Sequence, residues 1–208
     1  MFVPWHFPLH KDPSITGASE KAEIAFKLKF PAVYNHLLLP KKELSNRNRA
    51  ETGIRYEWYA LQRWGANYWE DFFKQKIMYP NMTKFLPFYL DNKGFMQNDK
   101  SFMITGNHIA FITAFLNSSI FKYCFIDNFP ELQGGTREVR KIFLDKICVL
   151  KISDEVNLEF EKLVLKLQDL VAEQKPTREI EIKVDELIFD LYSLTIEERE
   201  IIGFIEIQ

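Results

Sequence analysis

Between Lys41 and Arg63 the chain carries six cationic side chains, Lys41, Lys42, Arg47, Arg49, Arg55 and Arg63, with Asn46, Asn48 and Gln62 interleaved. These residue types suit a duplex: lysine and arginine neutralise phosphates, arginine forks the O6 and N7 of guanine, and asparagine or glutamine forks adenine. A second set, Lys84, Lys93, Gln97, Asn98 and Lys100, lies between short β-prone segments. A third occupies the "GGTREVRK" loop as Arg137, Arg140 and Lys141. Surface loops are commonly rich in the same residues, so composition alone leaves an ordinary solvated surface as the competing reading.

The stretch "TGIRYEWYALQRW", residues 52–64, holds two tryptophans, two tyrosines and two arginines. Large rings stabilise a small body by burial, so Trp58, and with it Trp69, is expected in a core. A buried unpaired guanidinium is costly, which favours Arg47, Arg49, Arg55 and Arg63 as a rim projecting from that aromatic floor. Surface ion pairs with Glu51 and Glu57 are the alternative use of those arginines.

Other chemistries lack their residues. The eight glycines form neither GxG nor GxxxxGK, so there is no dinucleotide or phosphate-loop fingerprint. His6 and His10 are four apart, but Pro8 between them prevents the helix that would bring them onto one metal, and no metal site is expected. There is no GxSxG. The Glu-x-Lys from Glu181 to Lys183 has no accompanying Pro-Asp of a metal-dependent nuclease and reads as a solvated helix face. Cys124 and Cys148 have neither CxxC nor zinc-site spacing and read as small apolar residues. No catalytic residue is therefore assigned, and binding is the expected activity.

The elements that must position these side chains follow from punctuation and period. Helices are predicted over 18–28 and, with Pro31 at the first position, over 31–39, followed by a loop in "KKELSNRNRAETG". A short helix is expected over 66–73, strands at "KIMYP", "PFYLD", "SFMIT" and "KICVLKI", and one buried helical run in "HIAFITAFLNSSIFKYCF". Ser153 can cap a helix carrying Val156, Phe160, Leu163, Leu167 and Leu170 at alternating four and three spacing. Ile180, Val184, Leu187 and Leu191 repeat it after Pro176, and Thr195 with Glu198 forms a capping box. The expected fold is mixed α/β: a body over 1–151 with a mixed β-sheet and packed helices, then a C-terminal helical hairpin over 152–208.

Charge divides in the same place. Residues 1–80 hold 12 Lys and Arg against 8 Asp and Glu, residues 81–151 hold 9 against 6, and residues 152–208 hold 6 against 15. A basic front suggests an anionic ligand, and an acidic tail a solvated or protein-facing role. No apolar run reaches membrane-spanning length and the start lacks signal-peptide character, so a cytoplasmic location away from membranes is expected.

The order of several motifs adds a resemblance. "FPAVYNHLLLP", the basic "KKELSNRNR" loop, the tryptophan-containing segment and the "KIMYP" strand occur as in the C-terminal target-recognition region of type IIG restriction-modification enzymes and related adenine-N6 DNA methyltransferases, the TaqI-like specificity domain. "FMITGNHIAFITAFLNSSIFKYCF" resembles that family's NS helix, "QGGTREVRKIFLDKICVLKI" its glycine loop and final strand, and "VDELIFDLYSLTIEERE" its tail, so the likeness covers nearly the whole chain. The methyltransferase part of such enzymes has an (Asn/Asp)-Pro-Pro-(Tyr/Phe) motif and a glycine motif for S-adenosylmethionine. This sequence has no Pro-Pro and no GxG.

The resemblance therefore implies a sequence-specific duplex-DNA reader for anti-phage restriction-modification, without the catalyst. S-adenosylmethionine, and Mg2+ if an endonuclease is present, would belong to a separate methyltransferase or endonuclease domain or subunit. Phosphate contacts are expected from Lys41, Lys42, Lys84, Arg137 and Lys141. Base readout is expected from some of Arg47, Asn48, Arg49, Arg55, Gln97, Asn98 and Lys100, with Arg63 on the same rim. A protein-interaction module acting through the heptad helices is the alternative function.

Overall fold

A computed structural model describes residues 3–62 and 68–204. The fold class is the expected mixed α/β, with helices and two small antiparallel sheets. The chain forms two compact units, residues 1–70 and 71–208. The change of charge near Ser153 thus falls inside the second unit, where it marks a change of surface.

In the first unit, α1 (Glu20–Lys29) begins at Ser19, whose side chain accepts from the Ala22 amide, and has Glu20 and Glu23 in its first turn and Lys27 and Lys29 in its last. That order suits the helix dipole. Pro31 opens α2 (Pro31–Leu38) as predicted. The segment after it departs from expectation: Lys41–Asn46 is a short helix, α3, and only the residues beyond it form a loop. A helix this short holds one core-facing residue, Leu44, so no apolar period is available to betray it.

The N-terminal lead explains the aromatic stretch. Phe26, Tyr34, Tyr56, Trp58, Tyr59 and Val3 are buried together. The lead is tied across them: Trp5 Nε1 donates to the Leu61 carbonyl at 2.8 Å, Leu61 N to the Val3 carbonyl at 2.9 Å, and the Tyr59 hydroxyl to the Phe7 carbonyl at 2.9 Å. Burial and the carboxylates of Glu57 and Glu23 push the Tyr59 hydroxyl far above its ordinary pKa. Trp58 is in the core as expected, whereas Trp69 is half-buried, edge-on to His10 with ring centres 4.6 Å apart.

In the second unit, β1 (Lys76–Pro80) lies between β3 (Tyr89–Asp91) and β4 (Ser101–Ile104), with Ile77 opposite both Leu90 and Ile104. A smaller sheet has the order β2 (Met82–Thr83), β6 (Thr136–Glu138), β5 (Glu131–Leu132). Three predicted strands are in place. All strand pairings in the two sheets are antiparallel, so the sheet is not the mixed one expected.

The fourth predicted strand, "KICVLKI", has no ladder. Its alternation is genuine, since Ile147, Val149 and Ile152 pack on the core while Cys148 and Leu150 are exposed. Gln97, with its amide turned to suit, lies against the Phe102–Met103 peptide of β4, its nitrogen 3.0 Å from the Phe102 carbonyl and its oxygen 3.2 Å from Met103 N. A period of two therefore reports burial and not pairing. Both cysteines are free and exposed, so the small apolar residues expected at these positions are at the surface.

The outer edge of β3 is closed by amide side chains. Gln168 accepts from Leu90 N at 2.8 Å and donates to its carbonyl at 3.0 Å, and Asn117 does the same for Phe88 at 3.2 and 2.6 Å. Each imitates a neighbouring strand, meeting the need of buried backbone groups for partners. Asn117 also explains why the long apolar run is two helices, α4 (Ile109–Leu116) and α5 (Ser119–Phe125): its side chain serves Phe88, and Ser118 caps the new helix by accepting from Phe121 N. No single helix among the described residues is long and apolar enough to cross a membrane, and this pair bends by 65°.

After the short α6 (Lys141–Leu144), the tail helices α7 (Asp154–Ala172), α8 (Arg178–Leu191) and α9 (Ile196–Ile202) start as predicted, with Ser153 and Thr195 as caps for the first and last. Their apolar positions complete the core of this unit: Phe160 packs on Phe111 at 5.1 Å, and Val184, Ile188 and Phe189 are buried in the same cluster. Ser119 donates through both its amide and hydroxyl to Asp185 of α8. Burial outweighs these bonds and raises the Asp185 pKa.

Candidate nucleic-acid interface

The loop that follows α3 is built on an arginine turned inward. Arg47 Nε donates to the Leu44 carbonyl at 3.1 Å, and Nη2 donates to the carbonyls of Trp58 and Ala60 at 3.0 and 2.9 Å. The Thr52 hydroxyl donates to the Arg47 carbonyl at 2.5 Å, and Gly53 N to the Tyr56 carbonyl at 2.8 Å. Gly53 has φ of 79°, a region open to glycine at little cost. Arg47 is thus the support of the loop, and its Nε and Nη2 are committed to main-chain carbonyls.

On this base, the neighbouring polar side chains are exposed. Glu51 accepts from Asn48 Nδ2 at 2.7 Å through one oxygen and from Arg55 Nη1 at 2.8 Å through the other. Arg49 Nη2 donates to Asn46 Oδ1 at 2.9 Å. Asn48 has φ of 36°, a left-handed conformation that asparagine tolerates better than most residues. The competing use of these arginines as ion-pair partners is half realised. Glu51 does pair with Arg55, whereas Glu57 is buried and accepts from His6 N at 2.7 Å and Ser19 N at 2.9 Å, with His6 Nδ1 at 3.0 Å.

Beside the loop, Glu23 gathers the tips of the aromatic floor. Its Oε1 accepts from Trp58 Nε1 at 2.7 Å and from the Tyr34 hydroxyl at 2.8 Å, while Lys41 Nζ is 3.6 Å from the same oxygen and 4.7 Å from the Trp58 ring centre. Burial and this carboxylate push the Tyr34 hydroxyl up to about 12. Lys41 is steadied by a ring and a carboxylate yet still half exposed, a position from which an ammonium can reach an anion. Lys42 is exposed and has no ion-pair partner among the described residues. Arg63 lies outside the described residues, as does Trp64.

In the second unit the expected contacts are dispersed. Lys84 is exposed beside a turn in which the Thr83 hydroxyl donates to the Phe85 carbonyl at 2.9 Å. Asn98 Oδ1 accepts from Lys100 N at 3.0 Å, and the exposed Lys100 Nζ is 3.7 Å from Asp99. The Gln97 amide lies against the Phe102–Met103 peptide of β4, so it is part of the fold. Lys93 follows Asp91 at the far end of β3, whereas Lys100 is bonded through its carbonyl to Asn81 N beyond the opposite end of β1. The second set is therefore not one cluster.

The glycine loop differs again. Arg137 donates through Nη1 to the carbonyls of Ile126 and Phe129 at 3.2 and 2.9 Å and through Nη2 to Asp127 at 2.9 Å, with Glu131 3.6 Å away. Arg140 pairs with Glu138 at 2.8 Å, and Lys141 with Asp145. The phosphate-contact residues expected here, Arg137 and Lys141, both face carboxylates. Sequence reasoning missed these assignments because the acceptors, Asp127, Glu131 and Asp145, are four to ten positions away and become neighbours through the hairpin or a helical turn.

Over 170 residues the chain is 28% identical to the type II methyltransferase M.MjaIV of Methanocaldococcus jannaschii, covering 77% of this chain and 54% of that protein. The chain is related in sequence to a restriction-modification methyltransferase. It spans about half the length of that relative. No family model matches the chain.

Proposed function

We propose that this chain is a sequence-specific duplex-DNA target-recognition domain of the TaqI-like kind, serving a type IIG-like restriction-modification enzyme or an adenine-N6 DNA methyltransferase. The observation that carries the reading is the loop after α3. The half-buried Arg47 and Thr52 hold its main chain, while Asn48, Arg49 and Arg55 stand on its surface beside Lys41 and Lys42 of α3. Phosphate contacts fix register and base contacts specify, and this loop offers both kinds of donor side by side. Lys84, Asn98 and Lys100 are additional contacts from the second unit.

Catalysis falls to a methyltransferase or endonuclease part. Among the described residues no three His, Cys, Asp or Glu side chains converge. The heptad faces of α7 and α8 are buried in their own unit's core, which argues against the alternative of a module acting through those faces.

The test is selection from a pool of random duplexes with the full chain, at low salt and across a salt series, followed by sequencing of the bound fraction. Enrichment of a short motif together with affinity that falls as salt rises is the expected result. Salt-dependent binding with no motif would reduce the chain to a basic surface, and no binding at low salt would end the reading.

A further inference from the structure

Glu51 is the one carboxylate among the exposed donors of the loop after α3, and each of its oxygens holds a different one: Asn48 Nδ2 at 2.7 Å and Arg55 Nη1 at 2.8 Å. An acid at this place is a cost for any protein that only needs to attract phosphate, because it cancels a cation and repels the backbone. Its geometry supplies the compensation. An asparagine amide has two hydrogens and one oxygen, so a bond from one hydrogen to Glu51 leaves the other hydrogen and Oδ1 able to fork the N7 and N6 amino group of adenine. A guanidinium has five N–H donors, so a carboxylate on Nη1 is compatible with a fork to guanine O6 and N7. Long polar side chains lose rotamer freedom when they bind, and fixing them beforehand lowers that cost for the correct partner alone.

We infer that Glu51 is a positioning residue that holds Asn48 and Arg55 as a purine-reading pair and, by its charge, weakens binding to sequences that offer only phosphates. The loop then reads adenine and guanine edges in a major groove. This rests on the target-recognition reading above.

The experiment compares the full chain and its E51Q, N48A/R55A and E51Q/N48A/R55A variants in the same duplex selection. It then measures affinity for the enriched duplex and for random duplex. E51Q is expected to bind random duplex roughly threefold more tightly and to lose roughly tenfold in the ratio of enriched to random affinity. Tighter non-specific binding is a gain that mere damage to the fold would not produce. In the N48A/R55A background, adding E51Q is expected to lower the ratio no further, and the purine preference is already absent. A wild-type chain that enriches a motif, with E51Q keeping the full ratio or lowering both affinities together, overturns the inference and leaves the reading intact. A wild-type chain that enriches nothing overturns both.

Discussion

The loop at residues 46–56 and the hairpin at residues 126–140 each contain an arginine whose guanidinium donates to main-chain carbonyls, and they differ in what neutralises it. Arg47 is bonded to the carbonyls of Leu44, Trp58 and Ala60, so the nearby acid, Glu51, is left to act at the surface. Arg137 has two carbonyls and also Asp127 and Glu131, and its neighbour Arg140 is matched by Glu138. Lys76, deeper in the second unit, goes further: fully buried, it donates to Asp91 and to the Phe72 carbonyl. The first unit therefore compensates its inward cation with peptide dipoles and keeps a positive surface, whereas the second spends carboxylates on its inward cations. Two segments of similar composition acquire different electrostatic roles.

Lys76 and Asp91 mark the extreme of that contrast and give the largest expected effect. Burial disfavours the Asp91 carboxylate, but the Lys76 ammonium and the amides of Lys93 and Phe95 outweigh it and hold its pKa below 3.8. Stability from this group is therefore complete above 3.8 and is lost as pH falls through 3.8 toward the lower folded value. Lys76→Met leaves a buried carboxylate without its cation and is expected to destabilise by about 3–5 kcal/mol, while Lys76→Met with Asp91→Leu costs much less. Urea unfolding of the three proteins checks this. Equal losses in single and double variants would show that the pair is not coupled.

How much of this was legible depends on the range over which each feature is decided. Caps and first turns are local, so Pro31, Ser153 and Thr195 announced their helices correctly. Alternation is also local, but strand pairing is not: Ile147 and Val149 of "KICVLKI" turn to the core between exposed neighbours, yet the segment pairs with no strand among the described residues. The aromatic floor under the first unit was readable from ring density. That Arg47 would turn into it was not, because its acceptors are carbonyls 11 and 13 residues away, and carbonyls have no side-chain identity. The candidate site was thus readable as a region, and the division of its arginines into support and surface was decided by the fold.

The next effect separates the two half-buried arginines, Arg47 and Arg137. The described tryptophans, Trp5, Trp58 and Trp69, belong to the first unit, so tryptophan fluorescence reports chiefly that unit's unfolding. Arg47→Ala strands carbonyls behind a core and is expected to cost about 2–3 kcal/mol in the tryptophan transition. Arg137→Ala opens a site that water can reach, costs about 1 kcal/mol, and leaves the tryptophan transition in place. A tryptophan transition shifted equally by both would break the distinction between the units. Loss of DNA discrimination in Arg47→Ala is expected to follow its stability and to recover on cooling, as suits a support and not a base contact.

The smallest effects compare two exposed cations. Arg140 is matched by Glu138 at 2.8 Å, and Lys42 has no ion-pair partner among the described residues. Removing either changes stability by less than about 0.5 kcal/mol, since exposed ion pairs contribute little. On DNA they separate. Lys42→Ala removes a charge that no protein group offsets, so it is expected to weaken binding to all duplexes alike and to reduce the slope of log affinity against log salt by about 1. Arg140→Ala removes a charge already matched, frees Glu138, and leaves that slope within about 0.3 of wild type. Equal slopes for the two variants would mean that local neutralisation does not govern which cations meet phosphate, and the contrast between the loop and the hairpin would then rest on stability alone.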